Sequence, residues 1–129
     1  MSKRVNYLEG SEWETKIGYC RAVKIGNTIE IAGTTATVNG EVVGKGDMYL
    51  QTKTILQKFE KVLAELGASM NDVVRTRIFC TDISRWEEIG KAHGEYFAEI
   101  KPATAMYEIP KLINGDLLVE IEATAILEI

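Results

Sequence analysis

Two cysteines, two prolines and a single histidine are all that 129 residues supply of these three side chains. Each scarcity excludes something. Cys20 and Cys80 form no CxxC and have no metal-ligand spacing; both fall in expected strands, which makes them reduced core or cleft residues and favours a cytoplasmic location. One histidine, His93, would have to serve every role in a nucleophile–base arrangement, so no Ser/His/Asp or Cys/His chemistry is legible. Pro102 and Pro110 mark no linker. No apolar run nears the roughly 20 residues of a membrane helix, and the opening Met-Ser-Lys-Arg-Val-Asn-Tyr lacks the apolar segment of a signal peptide. Basic excess is missing too: the net charge is −4, against the basic face of a nucleic-acid binder.

What is present is an ordinary globular composition, 46% hydrophobic and 26% charged, at a length that suits one domain over residues 1–129. Cys20 to Ile25 reads as a strand, Gly26-Asn27 as a tight turn and Thr28 to Thr34 as the returning strand. Asn39-Gly40 is the strongest hairpin signal, joining residues 35–38 to 41–43. The period then changes. Ile55, Leu56, Phe59, Val62, Leu63 and Leu66 form the stripe of an amphipathic helix running from near Asp47 to Leu66, with Gly67 as its stop. Val73 to Cys80 is a strand. A second helix is expected from Asp82 to Phe97, with Trp86, Ile89, His93 and Phe97 along one side. Ala103 to Ile109 and Leu117 to Leu127 are the last strands, with Asn114-Gly115-Asp116 between them.

The order β-β-β-α-β-α-β-β predicts an α+β fold: two helices on one face of a mixed six-stranded sheet. Alternation sorts the faces. Leu117, Val119, Ile121, Ala123 and Ala125 point one way on the last strand, and Val74, Thr76, Ile78 and Cys80 on the strand at 73–80. The other face mixes Glu120 and Glu122 with Arg75, Arg77 and Phe79. That mixture is too apolar for a solvated face and too charged for a core, and predicts a surface covered by other copies of the chain.

Several blocks, in order along nearly the whole chain, carry a resemblance. Gly18-Tyr19-Cys20-Arg21-Ala22-Val23-Lys24-Ile25-Gly26-Asn27 resembles "PYSQAVKVGN", and Ile31-Ala32-Gly33-Thr34 resembles "VSGQ". Leu66-Gly67-Ala68-Ser69 with Asp72-Val73-Val74 resembles "AGASLDDVV", Phe79-Cys80-Thr81-Asp82 "FLTD", and Glu95-Tyr96-Phe97 "EYF". Pro102-Ala103 and Val119-Glu120-Ile121-Glu122-Ala123 resemble "PARS" and "VEIEAIA". These are blocks of the reactive-intermediate deaminase (RidA/YjgF) family. The resemblance implies a homotrimer with ligand clefts between subunits, and hydrolysis of 2-imino or enamine acids to 2-keto acids with no metal or cofactor.

It also implies a site. Glu120 would hold the water and Tyr19 would complete the catalytic pair. Backbone of the segment around Gly33 and Thr34 would line the cleft, with Glu120 on a strand neighbouring that of the substrate-anchoring position. In the family that anchor is an arginine in "PARS"; here it is Thr104, followed at the next-but-one position by Met106. A neutral hydroxyl cannot grip a small carboxylate as a guanidinium fork does. Arg21 and Arg77, both expected toward the inter-subunit side, are the candidate replacements, and the bland alternative pairs them with Glu108, Glu120 or Glu122. Glu120 can equally be an interface ion-pair member, Tyr19 a packed aromatic, Gly33 a close strand approach and Trp86 a core residue. His93 is expected packed or partly exposed rather than catalytic. Three functions follow: an imine or enamine hydrolase altered or silenced by Thr104, a metabolite-binding trimer without turnover, and, weakest, an endoribonuclease. The last lacks a basic groove and a histidine pair.

Overall fold

The computed structural model describes residues 3–128; Met1 and Ser2 of the opening stretch, and Ile129, lie outside. The strands are β1 (Arg4–Tyr7), β2 (Ala22–Ile25), β3 (Thr28–Thr34), β4 (Thr37–Val38), β5 (Glu41–Val42), β6 (Val73–Cys80), β7 (Ala103–Glu108) and β8 (Val119–Ile126). The α-helices are α1 (Met48–Glu65) and α2 (Trp86–Phe97). Six strands form one sheet in the order β1-β2-β3-β8-β6-β7. Among the described residues only β6 and β7 run parallel, joined by α2 as the crossover such a pair requires.

Local chemistry explains most boundaries. Ile25 pairs with Thr28, leaving a two-residue loop in which Gly26 takes the positive φ (60°) that its first position demands. Asn39 and Gly40 both have positive φ, the signature of the mirror-image turn between β4 and β5. Asp47 caps α1 by accepting from Leu50 N at 2.9 Å. At the other end Gly67 (φ 80°) closes the helix. Its N–H donates to Ala64 O and that of Ala68 to Leu63 O, satisfying the last carbonyls.

Ile55, Leu56, Phe59 and Leu63 of α1 and Ile89 and Phe97 of α2 are buried against Ile29, Ile31, Ile78, Ile121, Ala123 and Ala125 of the sheet. Ala123 and Ala125 of β8 are fully buried in this layer. Gln51 is fully buried in this layer. Its Nε2 donates to Gly44 O (3.0 Å) and Asp116 O (2.9 Å), and its Oε1 accepts from Leu118 N (2.8 Å).

Four expectations are corrected. The sheet has its six strands, but its third member by sequence is not the 35–43 hairpin, which forms a separate two-stranded ribbon. The place is taken by β1, a short edge strand with three exposed residues and no apolar alternation to reveal it. At the start of β6, Val73 is buried and Val74 exposed, the reverse of simple alternation, because the register with β8 slips between Val73 and Arg75. The second helix begins at Trp86; residues 83–85 form a 3-10 turn capped by Asp82. Trp86 is exposed rather than core, since it opens α2 three residues before the buried stripe starts at Ile89.

Candidate functional site

β3 breaks its register against β8. Ile31 pairs with Ala123 and Thr34 with Ile121, so Ala32 and Gly33 together oppose Glu122. This bulge bends the strand end toward Glu120. A Cβ on Gly33 would lie 2.6 Å from Glu120 Oε2 and 2.9 Å from its Cδ. Glycine is therefore what allows the carboxylate to rest on the bulge. Thr34 is buried and its hydroxyl donates to Ala32 O at 2.7 Å, so its side chain closes the bulge and offers nothing to a ligand.

Arg21 lies beneath the same bulge. It is 9% exposed, and its Nη2 donates to Gly33 O at 2.7 Å. Its Nε is buried without a hydrogen-bond partner among the described residues. Glu9 stands 3.7 Å from Nη1, and the Tyr19 ring centroid 5.7 Å from the guanidinium carbon. Glu14, also buried, accepts from the backbone N–H groups of Glu9, Gly10 and Ser11 and so holds that loop in place. Beyond the bulge, the Lys58 ammonium donates to Thr35 O (2.8 Å) and Thr37 O. Burial pulls the Lys58 pKa down; Glu9 opposes this and Arg21 adds to it.

Glu120 is half-buried near Arg21. Burial raises its pKa, the neighbouring Glu122 charge raises it further, and Arg21 pulls it back. A carboxylate so placed is a stronger base than a solvated one, and no hydrogen bond contributes to its shift. Among the described residues no three His, Cys, Asp or Glu side chains are grouped to hold a metal ion.

The structure thus gathers Tyr19, Arg21, Gly33 and Glu120. It does not bring the other expected residues to them. β7 and β8 are not neighbours; β6 lies between. Thr104 pairs in register with Thr76 and Met106 with Ile78, on the helix-facing side, whereas Glu120 pairs with Phe79 on the opposite face. Met106 is partly buried and packs against the core. Arg77 is on the outer face, 3.7 Å from Glu122, as the bland alternative holds. Arg21 is bonded inward to Gly33 O and pairs with Glu9, not with Glu108, Glu120 or Glu122.

Two groups escaped the sequence reading. Lys58 had a visible signal: a charge set within the apolar stripe, between Ile55 and Val62. Thr76 had none. It is fully buried, and its hydroxyl lies 2.9 Å from His93 Nε2 and 2.8 Å from Thr104 Oγ1. Thr104 in turn donates to Pro102 O at 3.1 Å. His93 packs at 4.7 Å on Phe97, and burial lowers its pKa.

Sequence and fold are shared with known proteins. The family model described as Endoribonuclease L-PSP matches residues 10–127. A RutC family protein of Pyrococcus abyssi is 38% identical over 97% of this chain and 98% of its own length. The 3-aminoacrylate deaminase RutC of Acinetobacter baylyi is 32% identical over 83% of this chain and 85% of its own. A crystal structure of a YjgF/YER057c/UK114 family member from Mycobacterium tuberculosis superposes with a TM-score of 0.87 at 46% identity, covering 97% of this chain and all of that one. With the family model spanning all but the chain ends and the fold shared with solved relatives, this chain belongs to the L-PSP family that includes the RutC and YjgF proteins.

Proposed function

We propose that this chain hydrolyses a small 2-imino or enamine acid, with Glu120 as the acid–base group. The observation that carries the reading is the raised pKa of a half-buried carboxylate seated on the Gly33 bulge. Ionised Glu120 takes a proton from a water as its oxygen adds to the C=N carbon. The same carboxyl returns that proton to nitrogen to give the carbinolamine, then takes the hydroxyl proton and delivers it to nitrogen as the C–N bond breaks. Water and imine become a 2-keto acid and ammonia, with no oxidant or reductant required. An enamine enters by tautomerising to the imine, one proton being added at carbon as one leaves nitrogen. Gly33 and the Arg21 beneath it fix the bulge against which Glu120 works. Tyr19, over Arg21, forms the rim. The deaminase activity named for the Acinetobacter baylyi relative supports this substrate class.

Thr104 and Glu120 occupy opposite faces of one sheet. They share a cleft only if a second copy brings its β7 edge to the first copy's bulge. A homotrimer is the assembly proposed, with one cleft at each subunit boundary. The second reading, a trimer that binds its ligand without turnover, is favoured by the neutral Thr104 hydroxyl, which supplies no charge for a substrate carboxylate.

An amino-acid oxidase acting on alanine generates iminopropionate, and semicarbazide traps what escapes hydrolysis. The protein should lower the initial rate of semicarbazone formation, and Glu120→Gln should abolish the effect. Unchanged trapping by wild type together with rate-lowering by Thr104→Arg would mean that the scaffold is competent and the native ligand is something other than iminopropionate. Full activity in Glu120→Gln would remove Glu120 from the mechanism.

A further inference from the structure

The Thr104–Thr76–His93 chain runs from an exposed hydroxyl on the edge strand β7, through a fully buried hydroxyl on β6, to the only histidine, on α2. Counting protons fixes its direction. Each threonine has one hydroxyl proton. Thr104 gives its proton to Pro102 O. The 2.8 Å contact with Thr76 then requires Thr76 to donate to Thr104. Thr76 has no proton left for the imidazole, so at 2.9 Å His93 Nε2 must carry the hydrogen and donate. Burial holds His93 toward its neutral form, which makes it the Nε2–H tautomer with Nδ1 unprotonated.

We propose that these three residues form a hydroxyl relay that turns Thr104 into an aimed hydrogen-bond donor, and that the β7 edge takes an oxygen acceptor on the ligand. Every bond of the relay points outward, from imidazole to buried hydroxyl to surface hydroxyl. Pro102 O, just ahead of β7, is the acceptor a ligand oxygen displaces. Thr104 keeps accepting from Thr76 while its own proton swings to the ligand, so each bond polarises the next. Recognition here uses one neutral, directed bond, and it suits the carbonyl or carboxylate oxygen of a keto or imino acid. The choice of ligand rests on the proposed hydrolase reading; the relay does not.

The test reads the imidazole directly. Long-range proton–nitrogen spectra of wild type should show His93 as the Nε2–H tautomer. Thr104→Val removes the acceptor that the buried Thr76 proton uses. That proton then turns to His93 Nε2, and the tautomer should switch to Nδ1–H; Thr104→Ala should do the same. Thr104→Ser should restore the wild-type pattern. A merely packed histidine would ignore all three surface changes, and an unswitched tautomer in both Thr104→Val and Thr104→Ala overturns the relay. Pyruvate, titrated in excess, should move the His93 Nε2 shift in wild type and not in Thr76→Val. No movement in wild type overturns the assignment of an oxygen acceptor. Neither arm depends on turnover, so failure of the hydrolase reading is seen separately in the semicarbazide assay.

Discussion

At the scale of single residues, Gly33 and Glu120 define each other. Gly33→Ala puts a methyl 2.6 Å from Glu120 Oε2, but that atom ends a flexible side chain, so the carboxylate moves and the bulge stays. The variant should fold with a loss of about 1 kcal/mol or less. Its Glu120 should titrate closer to an ordinary carboxylate once it turns toward water, as a carboxyl carbon titration by NMR would show. The sign for stability follows from linkage. Glu120 has a pKa raised on folding by burial first and Glu122 second, so the folded state holds its proton more tightly than the unfolded one. Its contribution is fully present below the unfolded value and is lost as pH rises through the folded one. Glu120→Gln should therefore resist urea better than wild type at pH 7, with the advantage closing as pH falls through the carboxylate range. A constant difference across that range would mean that the buried charge is not its cause. The sequence named Glu120, Gly33 and Tyr19 through flanking blocks alone. It could not show that Arg21 turns inward to Gly33 O, because a guanidinium under a bulge and one in a cleft look the same in one dimension.

At the scale of elements, α1 does more than cover the sheet. Gln51 joins it to the loop at Gly44 and to the entry of β8 at Asp116 and Leu118. Gln51→Leu would keep the volume but leave two carbonyls and one N–H short of their partner inside the layer. A loss of about 3 kcal/mol is expected, read from the urea midpoint at unchanged slope. Asp47→Ala, which removes the capping bond to Leu50 N, should cost about 1 kcal/mol. Comparing the two separates internal hydrogen bonding from capping. Long periodic elements were legible because period 3.6 and period 2 survive in the residue order: α1, β3 and β6 lie where the pattern puts them. What was not legible depended on pairing. β1 exists because β2 offers it an edge, and Thr104 is removed from Glu120 because β6 inserts between β7 and β8. Neither fact is local.

At the scale of the whole molecule, the sheet is covered on one side only. The outer face carries Phe79 stacked on Tyr107 at 5.8 Å, with Tyr107 exposed, and the Arg77–Glu122 pair alongside. The accessible surface is 7532 Å² at 14.4 kDa, against about 6,800 Å² for a typical monomer of that mass. The excess fits a protomer shaped to lose surface to its copies. Its site argues likewise, since the bulge with Glu120 and the edge with Thr104 face opposite ways. Sedimentation velocity at micromolar concentration should give three times the chain mass. Phe79→Glu sets a third carboxylate near Glu120 and Glu122 on that face, where burial against another copy would cost several kcal/mol per charge. In a lone chain the same position is half-exposed, and the charge remains hydrated. The variant should therefore sediment as a folded monomer, with native circular dichroism and a cooperative urea transition. In the alanine oxidase assay it should leave semicarbazone formation at its unassisted rate. A monomeric Phe79→Glu variant that still lowered that rate would show the cleft to be complete within one chain.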